Sequence, residues 1–470
     1  MNRPVTLTLT GDQHARLYRH LYPGDGLEAV AVLVCGHRDG ELRHRLLVRE
    51  VFEVPYALCK RTAVSVKWQP CYLDDLLNRA EREQLSLIKV HSHPGGSAHF
   101  SPLDDDSDAA LLPAIRGWVE ADVLHGSAVM LPSGEMFART FDGQALNEVT
   151  FVNVIGDNLL FWYPDGGSTE VPSFAASHAQ IFDEGTIERL QRLVVAVIGC
   201  SGTGSPLIEQ LVRLGVGVII LVDDDFMEVR NVNRILNSTM KAVRRKRYKV
   251  DVIGDAIEAM GLGTTVIRVK KNLWNADVVR QVAECDVVFG CMDTVDGRYL
   301  LNALSTYYLQ GYFDVGVRLD AVPDGAEKGS VREVCGTIHY IQPGKSSLMS
   351  RDLFSMDQVA AAGLKRTDPA AHDQQVKDGY IRGVASSRPA VISVNMYAAS
   401  LAVNEFLARL HPYREEPNVA HAQVTFSLAS MELMSEPEGE LQRCRILGRH
   451  VGKGDVRPLL GTMELAEIRA

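Results

Sequence analysis

The sequence predicts an α/β protein: a mixed α/β domain at the N-terminal end, followed by a doubly wound domain built on a parallel sheet. Three observations carry this. Residues 1–150 read as intermixed strands and helices, whereas from about 181 strands and helices alternate with one-sided apolar spacing, the mark of a doubly wound sheet. Between them, 151–180 contain Gly166-Gly167-Ser168 and Pro172-Ser173 and read as a connector. The 470 residues also exceed what one ordinary core accommodates.

In the first domain the spacing predicts a helix near 11–22, a strand near 29–35, a hairpin around 37–54 and a helix near 72–84. The apolar run 85–90 reads as a strand, a helix follows near 102–119, and closing strands reach about 141. The second domain, 181–415, opens with a buried strand at 193–198, a glycine-rich turn and an amphipathic helix to about Leu214. Strands follow at 218–222 and 286–290, and the last long helix covers about 390–410. The remaining 416–470 form an extension with short β-like stretches such as Val424-Thr425-Phe426-Ser427-Leu428.

Hydrophobic residues make up 46% and charged residues 23%, the balance of a soluble globular protein. There is no apolar run of about eighteen residues, and Met1-Asn2-Arg3-Pro4 opens no signal-peptide pattern, so a cytoplasmic location without membrane contact is expected. Eight cysteines without paired spacing indicate reduced thiols. A net charge of −10 argues against nucleic-acid binding. The basic run from Lys241 to Lys249 is read as a solvated helix face, with Lys249 set apart below.

The chemistry begins at His91-Ser92-His93, where the strand 85–90 ends. Residues two apart on a strand share a face, so His91 and His93 can reach one metal ion while Ser92 faces away. Zinc accepts His nitrogen and Asp oxygen, and its catalytic sites keep three protein ligands and a water. Asp104, delivered after the Pro94-Gly95-Gly96 turn at the head of the next helix, is the natural third ligand. Ser101-Pro102-Leu103-Asp104 is also an ordinary helix start, with Ser as N-cap and Pro at the first position. The conjunction of the two patterns is what makes the signal specific.

His-x-His, seven residues, then Ser-x-x-Asp closely resembles the signature of the JAB/JAMM metalloproteases. The resemblance implies a catalytic zinc on His91, His93 and Asp104, and an upstream glutamate that holds the zinc-bound water as general base. Glu28 opens Glu28-Ala29-Val30-Ala31-Val32-Leu33-Val34-Cys35-Gly36, which has the family's form, about sixty residues before the histidines. Zinc lowers the pKa of bound water to about 7, and a carboxylate in reach takes its proton. Glu50 and Glu53 compete for this role but follow a hairpin rather than opening the first buried strand. The same resemblance assigns Ser101 to the oxyanion of the tetrahedral intermediate.

In the second domain, Gly199, Gly202 and Gly204 permit a close backbone approach to phosphates at a helix N-terminus. Asp223-Asp224-Asp225 follows about twenty residues on, where a ribose-binding acid belongs. A dinucleotide oxidoreductase would fit, except that the second glycine of G-x-G-x-x-G falls on Ser201. Asp223-x-Asp225, Asn231-Val232-Asn233-Arg234, Lys249 and Cys291-Met292-Asp293-Thr294, in order over roughly 180–415, resemble the ThiF/MoeB and ubiquitin-activating adenylyltransferases. The resemblance implies a Rossmann-like adenylation domain using ATP and Mg2+. Gly199, Gly202 and Gly204 would face the phosphates, and Asp223 the ribose with Asp225 beside it. Asn231, Arg234 and Lys249 would meet the triphosphate, and Asp293 the magnesium.

Two departures from those relatives stand out. Many carry a structural zinc on two Cys-x-x-Cys pairs, but after Pro343-Gly344 this chain has Ser347-Leu348-Met349-Ser350, so no such structural metal is expected in this half. Conjugating relatives place a thioester-forming cysteine before the last long helix, yet no cysteine occurs between Cys335 and Cys444. Adenylation as the final step, a hydroxyl acceptor such as Ser386 or Ser387, or a nucleophile on another protein all remain open.

Together the resemblances imply one substrate for both domains: the C-terminal tail of a ubiquitin-like protein, cleaved by the zinc half and adenylated by the other, with a conjugating-enzyme-like partner and a homodimer expected. Such fusions resemble bacterial ubiquitin-like conjugation components, some associated with antiviral defence. Sulfur-carrier activation with trimming, or a non-catalytic scaffold binding zinc and nucleotide, are the alternatives.

Overall fold

The computed structural model describes residues 3–164, 171–322, 329–377 and 390–466. The chain forms two units. The first comprises Met1–Ser168 with Tyr307–Leu309 and His450–Gly461, and the second Thr169–Thr306, Gln310–Arg449 and Thr462–Ala470.

The first unit is built on a nine-stranded mixed sheet. At its centre His44–Glu53, Val30–Asp39, Ser86–Ser92 and His125–Met130 lie side by side. Both faces of these strands are covered, which is why they read as near-continuous apolar runs. Ala31, Leu33, Ile88 and Val90 pack with Leu17 and Leu21 of helix Gly11–Leu21. Val32, Val34 and Leu87 pack on the other face against helices Asp74–Glu83 and Pro102–Trp118 through Leu76, Leu77 and Leu112. His91 shares the parity of Leu87, so it emerges on the face covered by Pro102–Trp118, where Asp104 is carried.

Residues 151–162, read from sequence as connector, belong to this sheet. Phe151–Ile155 pairs parallel with Val5–Thr10 and antiparallel with Leu159–Trp162. The Gly156-Asp157-Asn158 turn between two short strands resembled a linker because neither strand is long enough to show a clear period. Helix Ala176–Arg192 likewise runs across the expected boundary at 181.

The extension 416–470 divides its length between the two units. Gln423–Ser427 and Glu432–Glu436 pair into the second sheet. His450–Gly461 joins the first unit, where Asp455 N donates to His37 O at 2.8 Å and the Asp455 carboxylate meets Arg38 at 3.1 Å. Backbone lies on backbone here: a Cβ on Gly36 would stand 2.4 Å from Gly452 O, and one on Gly454 2.2 Å from His37 O.

The second unit has an eight-stranded sheet. Thr265–Val269, Val218–Val222, Val194–Ile198, Val287–Gly290 and Gly311–Ala321 are parallel, and antiparallel strands complete one side. Chain order reverses between Val194–Ile198 and Val287–Gly290, the place where doubly wound sheets open a ligand crevice beyond their strand ends. No helix among the described residues is long and apolar enough to cross a membrane.

Candidate functional sites

The metal-ligand candidates of the first unit converge. His91 Nε2 lies 2.8 Å from Asp104 Oδ1 and 3.1 Å from His93 Nε2, and His93 Nε2 lies 3.4 Å from Asp104 Oδ2. One ligand atom from each residue falls within 4.8 Å of the others, a spacing that one cation can bridge. The donor set suits zinc. His93 Nδ1 donates to Ser97 O at 2.8 Å, so its proton sits there and the Nε2 lone pair turns to the cluster. His91 lacks that outer support, its Nδ1 being buried without a hydrogen-bond partner.

Asp104 is fixed by the start of its own helix. Ser101 N and Ser101 Oγ each stand 2.7 Å from Asp104 Oδ2, and Asp104 N donates to Ser101 Oγ in return, a reciprocal cap. The capping and metal readings of this segment therefore coexist on one carboxylate, Oδ2 taking the cap and Oδ1 standing nearest His91. Burial opposes ionisation of Asp104, but its hydrogen bonds to His91 and His93 hold the pKa far below the usual carboxylate range. Burial pushes the His91 pKa down; at His93 burial is outweighed by Asp104 and the Ser97 carbonyl, and the pKa rises.

Glu28 stands just ahead of strand Val30–Asp39, 6% exposed, and burial with the nearby Asp104 charge raises its pKa to about 7 against the pull of His93. Ser92, expected only to face away, bonds this region to the histidine strand: Ala29 N donates to Ser92 Oγ at 3.0 Å and Ser92 N to Ala29 O at 3.1 Å. Glu50 and Glu53 are engaged elsewhere, with Arg79 and Arg16. A further group gave no motif signal. Buried Asp108, one turn beyond Asp104, binds Lys89 at 2.5 Å and Arg139 at 2.7 Å and accepts from Ser127, tying the ligand-bearing helix to the sheet. A cleft of about 340 Å3 is lined in part by Tyr18, Tyr22, Leu27 and Pro94, the last two being chain neighbours of Glu28 and His93.

In the second unit, Gly199 follows its strand directly and has φ +93°, a conformation that favours glycine. A Cβ there would lie 2.6 Å from Cys291 O, and one on Gly204 would lie 1.9 Å from Gly199 O. The glycine turn thus packs against the loop holding Cys291 to Thr294, so Gly199 and Asp293 sit at the two strand ends flanking the order reversal, Asp293 being exposed. Gly202 faces the Arg234 side chain.

Asp223 Oδ2 accepts from Cys200 N at 2.8 Å, anchoring the turn. Lys249 Nζ reaches Asp225 Oδ2 at 2.6 Å and Asp223 Oδ1 at 3.5 Å. Burial disfavours the Lys249 charge, yet the two carboxylates outweigh it and its pKa is raised; burial also raises that of Asp223 despite the lysine. Asn231 Oδ1 accepts from Glu228 N at 2.9 Å, closing the turn that leads to Arg234. Ser347 and Ser350 hold one another, with Ser347 N donating to Ser350 Oγ at 2.9 Å and Ser350 Oγ to Gln442 O at 2.7 Å. Ser386 and Ser387 lie outside the described residues.

Fold and sites define a two-part class: a JAB-type α/β domain with a clustered His-His-Asp set, joined to a doubly wound nucleotide-fold domain. The chain belongs to the ThiF family, whose model matches residues 175–446, more than half of it. The model for prokaryotic homologs of the JAB domain matches residues 12–141. Among curated proteins, it is 27% identical over 209 residues to ubiquitin-like modifier-activating enzyme 5 of Bombyx mori, covering 42% of this chain and 49% of that one. It is 30% identical over 121 residues to the adenylyltransferase and sulfurtransferase UBA4 of Meyerozyma guilliermondii, covering 26% and 28%. The chain thus spans about half the length or less of these relatives. The solved structure of E. coli MccB with MccA-N7isoASN aligns with TM-score 0.44 at 16% identity, covering 60% of this chain and 76% of that one.

Proposed function

We propose that the chain acts on the C-terminal tail of a ubiquitin-like protein: the first unit cleaves the peptide or isopeptide bond after the terminal glycine, and the second adenylates the freed carboxylate. The observation that carries the reading is the convergence of His91, His93 and Asp104 beside Glu28 in a domain of the JAB kind. A zinc ion held by His91, His93 and Asp104 would supply Lewis-acid polarisation and a water that ionises near neutrality. Glu28, its carboxyl brought to about 7, is matched to taking the proton of the attacking water and returning it to the leaving amine as the C–N bond breaks. The Ser101 hydroxyl, which donates to Asp104 Oδ2 at 2.7 Å, is the candidate to turn to the oxyanion. The cleft lined by Tyr22, Leu27 and Pro94 offers a largely apolar surface on which part of the tail could lie.

In the second unit a carboxylate oxygen of the tail attacks the α-phosphorus of ATP, the bond to the β-phosphate breaks, and pyrophosphate leaves. Gly199, Gly202 and Gly204 admit the phosphates to the backbone, Lys249 and Arg234 offset their charge, Asp223 with Asp225 holds the ribose, and Asp293 positions magnesium. A conjugating-enzyme-like partner that takes the acyl group, and a homodimer through this unit, complete the reading. Sulfur-carrier activation is the second reading, favoured by the likeness to a protein named as adenylyltransferase and sulfurtransferase.

ATP–pyrophosphate exchange dependent on a ubiquitin-like protein tests the adenylation step, and absence of exchange with every such partner overturns it. Mass spectrometry of the partner's C-terminus then separates a conjugate from a thiocarboxylate. Loss of peptidase activity in Glu28→Ala at normal zinc content tests the base.

A further inference from the structure

Glu28 lies in a stretch without regular secondary structure, after a loop that turns at Gly24 with φ +95° and Gly26 with φ +70°. A glycine-rich approach of this kind has little stiffness of its own. Its order comes from the hairpin Cys59–Arg61 and Val66–Trp68, more than thirty residues further on. Arg61 Nε donates to Glu28 O at 2.7 Å, and Arg61 Nη2 to Leu27 O at 3.0 Å. The next residue completes the hold, because Glu28 N donates to Thr62 O at 2.8 Å. Both backbone polar groups of Glu28 are therefore bound by two consecutive residues of one strand end.

The guanidinium is itself built in. Asp25 takes it bidentately, Nη1 to Oδ2 at 2.8 Å and Nη2 to Oδ1 at 3.1 Å, and the Arg61 side chain is 8% exposed. Its other face lies on the Tyr56 ring, Cζ 4.3 Å from the centroid, while Tyr56 OH donates to His20 O at 2.6 Å. Every donor used here needs the planar fork of arginine, which a lysine ammonium cannot reproduce. Such a clamp exceeds what an exposed ion pair requires, and its effect falls on the main chain of Leu27 and Glu28.

We infer that Arg61 is a positioning residue for the reaction at the first unit, holding the backbone of Glu28 so that its carboxylate faces the His91, His93 and Asp104 cluster. This rests on the reading of Glu28 as the base. Arg61 touches none of the reacting atoms; it acts through Glu28. A displaced base costs catalysis rather than binding, so kcat is expected to fall about a hundred-fold with KM unchanged.

The test uses the full-length, zinc-loaded chain as wild type, Arg61→Met, Arg61→Lys, Glu28→Ala and the Glu28→Ala/Arg61→Met double variant. Hydrogen–deuterium exchange is followed in peptides covering 24–30 and 86–101, with zinc content measured alongside. Arg61→Met should speed exchange in 24–30 while leaving 86–101 and zinc content as in wild type, and Arg61→Lys should fall between the two. Unchanged exchange in 24–30, or equal loosening of both regions, overturns the inference. With a fluorogenic peptide amide ending in Gly-Gly as probe, Arg61→Met should lower kcat in the wild-type background and add nothing on Glu28→Ala. Equal losses in both backgrounds would show that Arg61 works independently of Glu28. If the wild type cleaves nothing, the peptidase reading fails, while the exchange data still decide whether Arg61 orders Glu28.

Discussion

Replacing Glu28 by Gln should stabilise the metal-free protein at alkaline pH and remove the peptidase activity proposed for the zinc-loaded form. The Glu28 carboxyl is buried beside Asp104, and its pKa climbs from an ordinary 4.5 to about 7 in the fold. The folded state thus holds this proton more tightly than the unfolded chain. Stability from the group is present in full below pH 4.5 and is lost as pH rises through 7, where ionisation leaves a charge in a poorly solvated place. The difference between the two pKa values amounts to roughly 3 kcal/mol by pH 8.5 and to about 1 kcal/mol or less at pH 5. Glutamine keeps the shape and cannot ionise, so the variant avoids this loss. For a unit of this size, that is a rise of about 6–12 °C in the melting point of the first unit at pH 8.5 and little change at pH 5. Calorimetry of both proteins in chelator at the two pH values measures it. Parallel pH profiles for wild type and variant would refute the argument, since they would mean that Glu28 is as well solvated in the fold as in the unfolded chain.

Three further outcomes are expected. Asp108→Ala strands the buried charges of Lys89 and Arg139, and should cost about 3–5 kcal/mol in denaturant unfolding of the first unit, together with weaker zinc retention. Lys249→Ala should lower ATP–pyrophosphate exchange by roughly a hundred-fold or more, measured well below the melting point of the variant because the change also strands the largely buried Asp223 side chain; retained exchange would remove Lys249 from the nucleotide site. Gly454→Ala adds a Cβ 2.2 Å from His37 O at φ +64°, so its melting point should fall by an amount equivalent to about 2 kcal/mol or more, even though the residue lies over three hundred positions from the candidate zinc ligands.

The parts legible in the sequence are those whose geometry is local. His91 and His93 share a strand face because the β period is two, and Asp104 follows within one turn and the head of one helix, so spacing alone brought the three together. Gly199 and Gly204 declared themselves because only glycine fits where their Cβ atoms would meet backbone. Arg61 could not be read in the same way: its partners are carbonyl oxygens, which every residue possesses, reached across a hairpin with no motif. Asp108 and Lys89 were equally silent, since an acid on a helix and a lysine in a strand gain meaning only when stacked face to face. The strands at 151–162 were lost for a simpler reason. Four- and five-residue strands around a Gly-Asp-Asn turn carry too little period to outweigh the turn signal.

The placement of His450–Gly461 in the first unit means that the JAB-type domain is written in the gene as separated pieces. A ribosome releases its main sheet early, but the segment that lies against Gly36, His37 and Val48 is translated only after all of the second unit up to Arg449. Until then the backbone around Gly36 lacks the chain that covers it. The first unit therefore receives its last segment only once most of the second has been synthesised, and a fragment ending at Ser168 would lack a native part of its own domain.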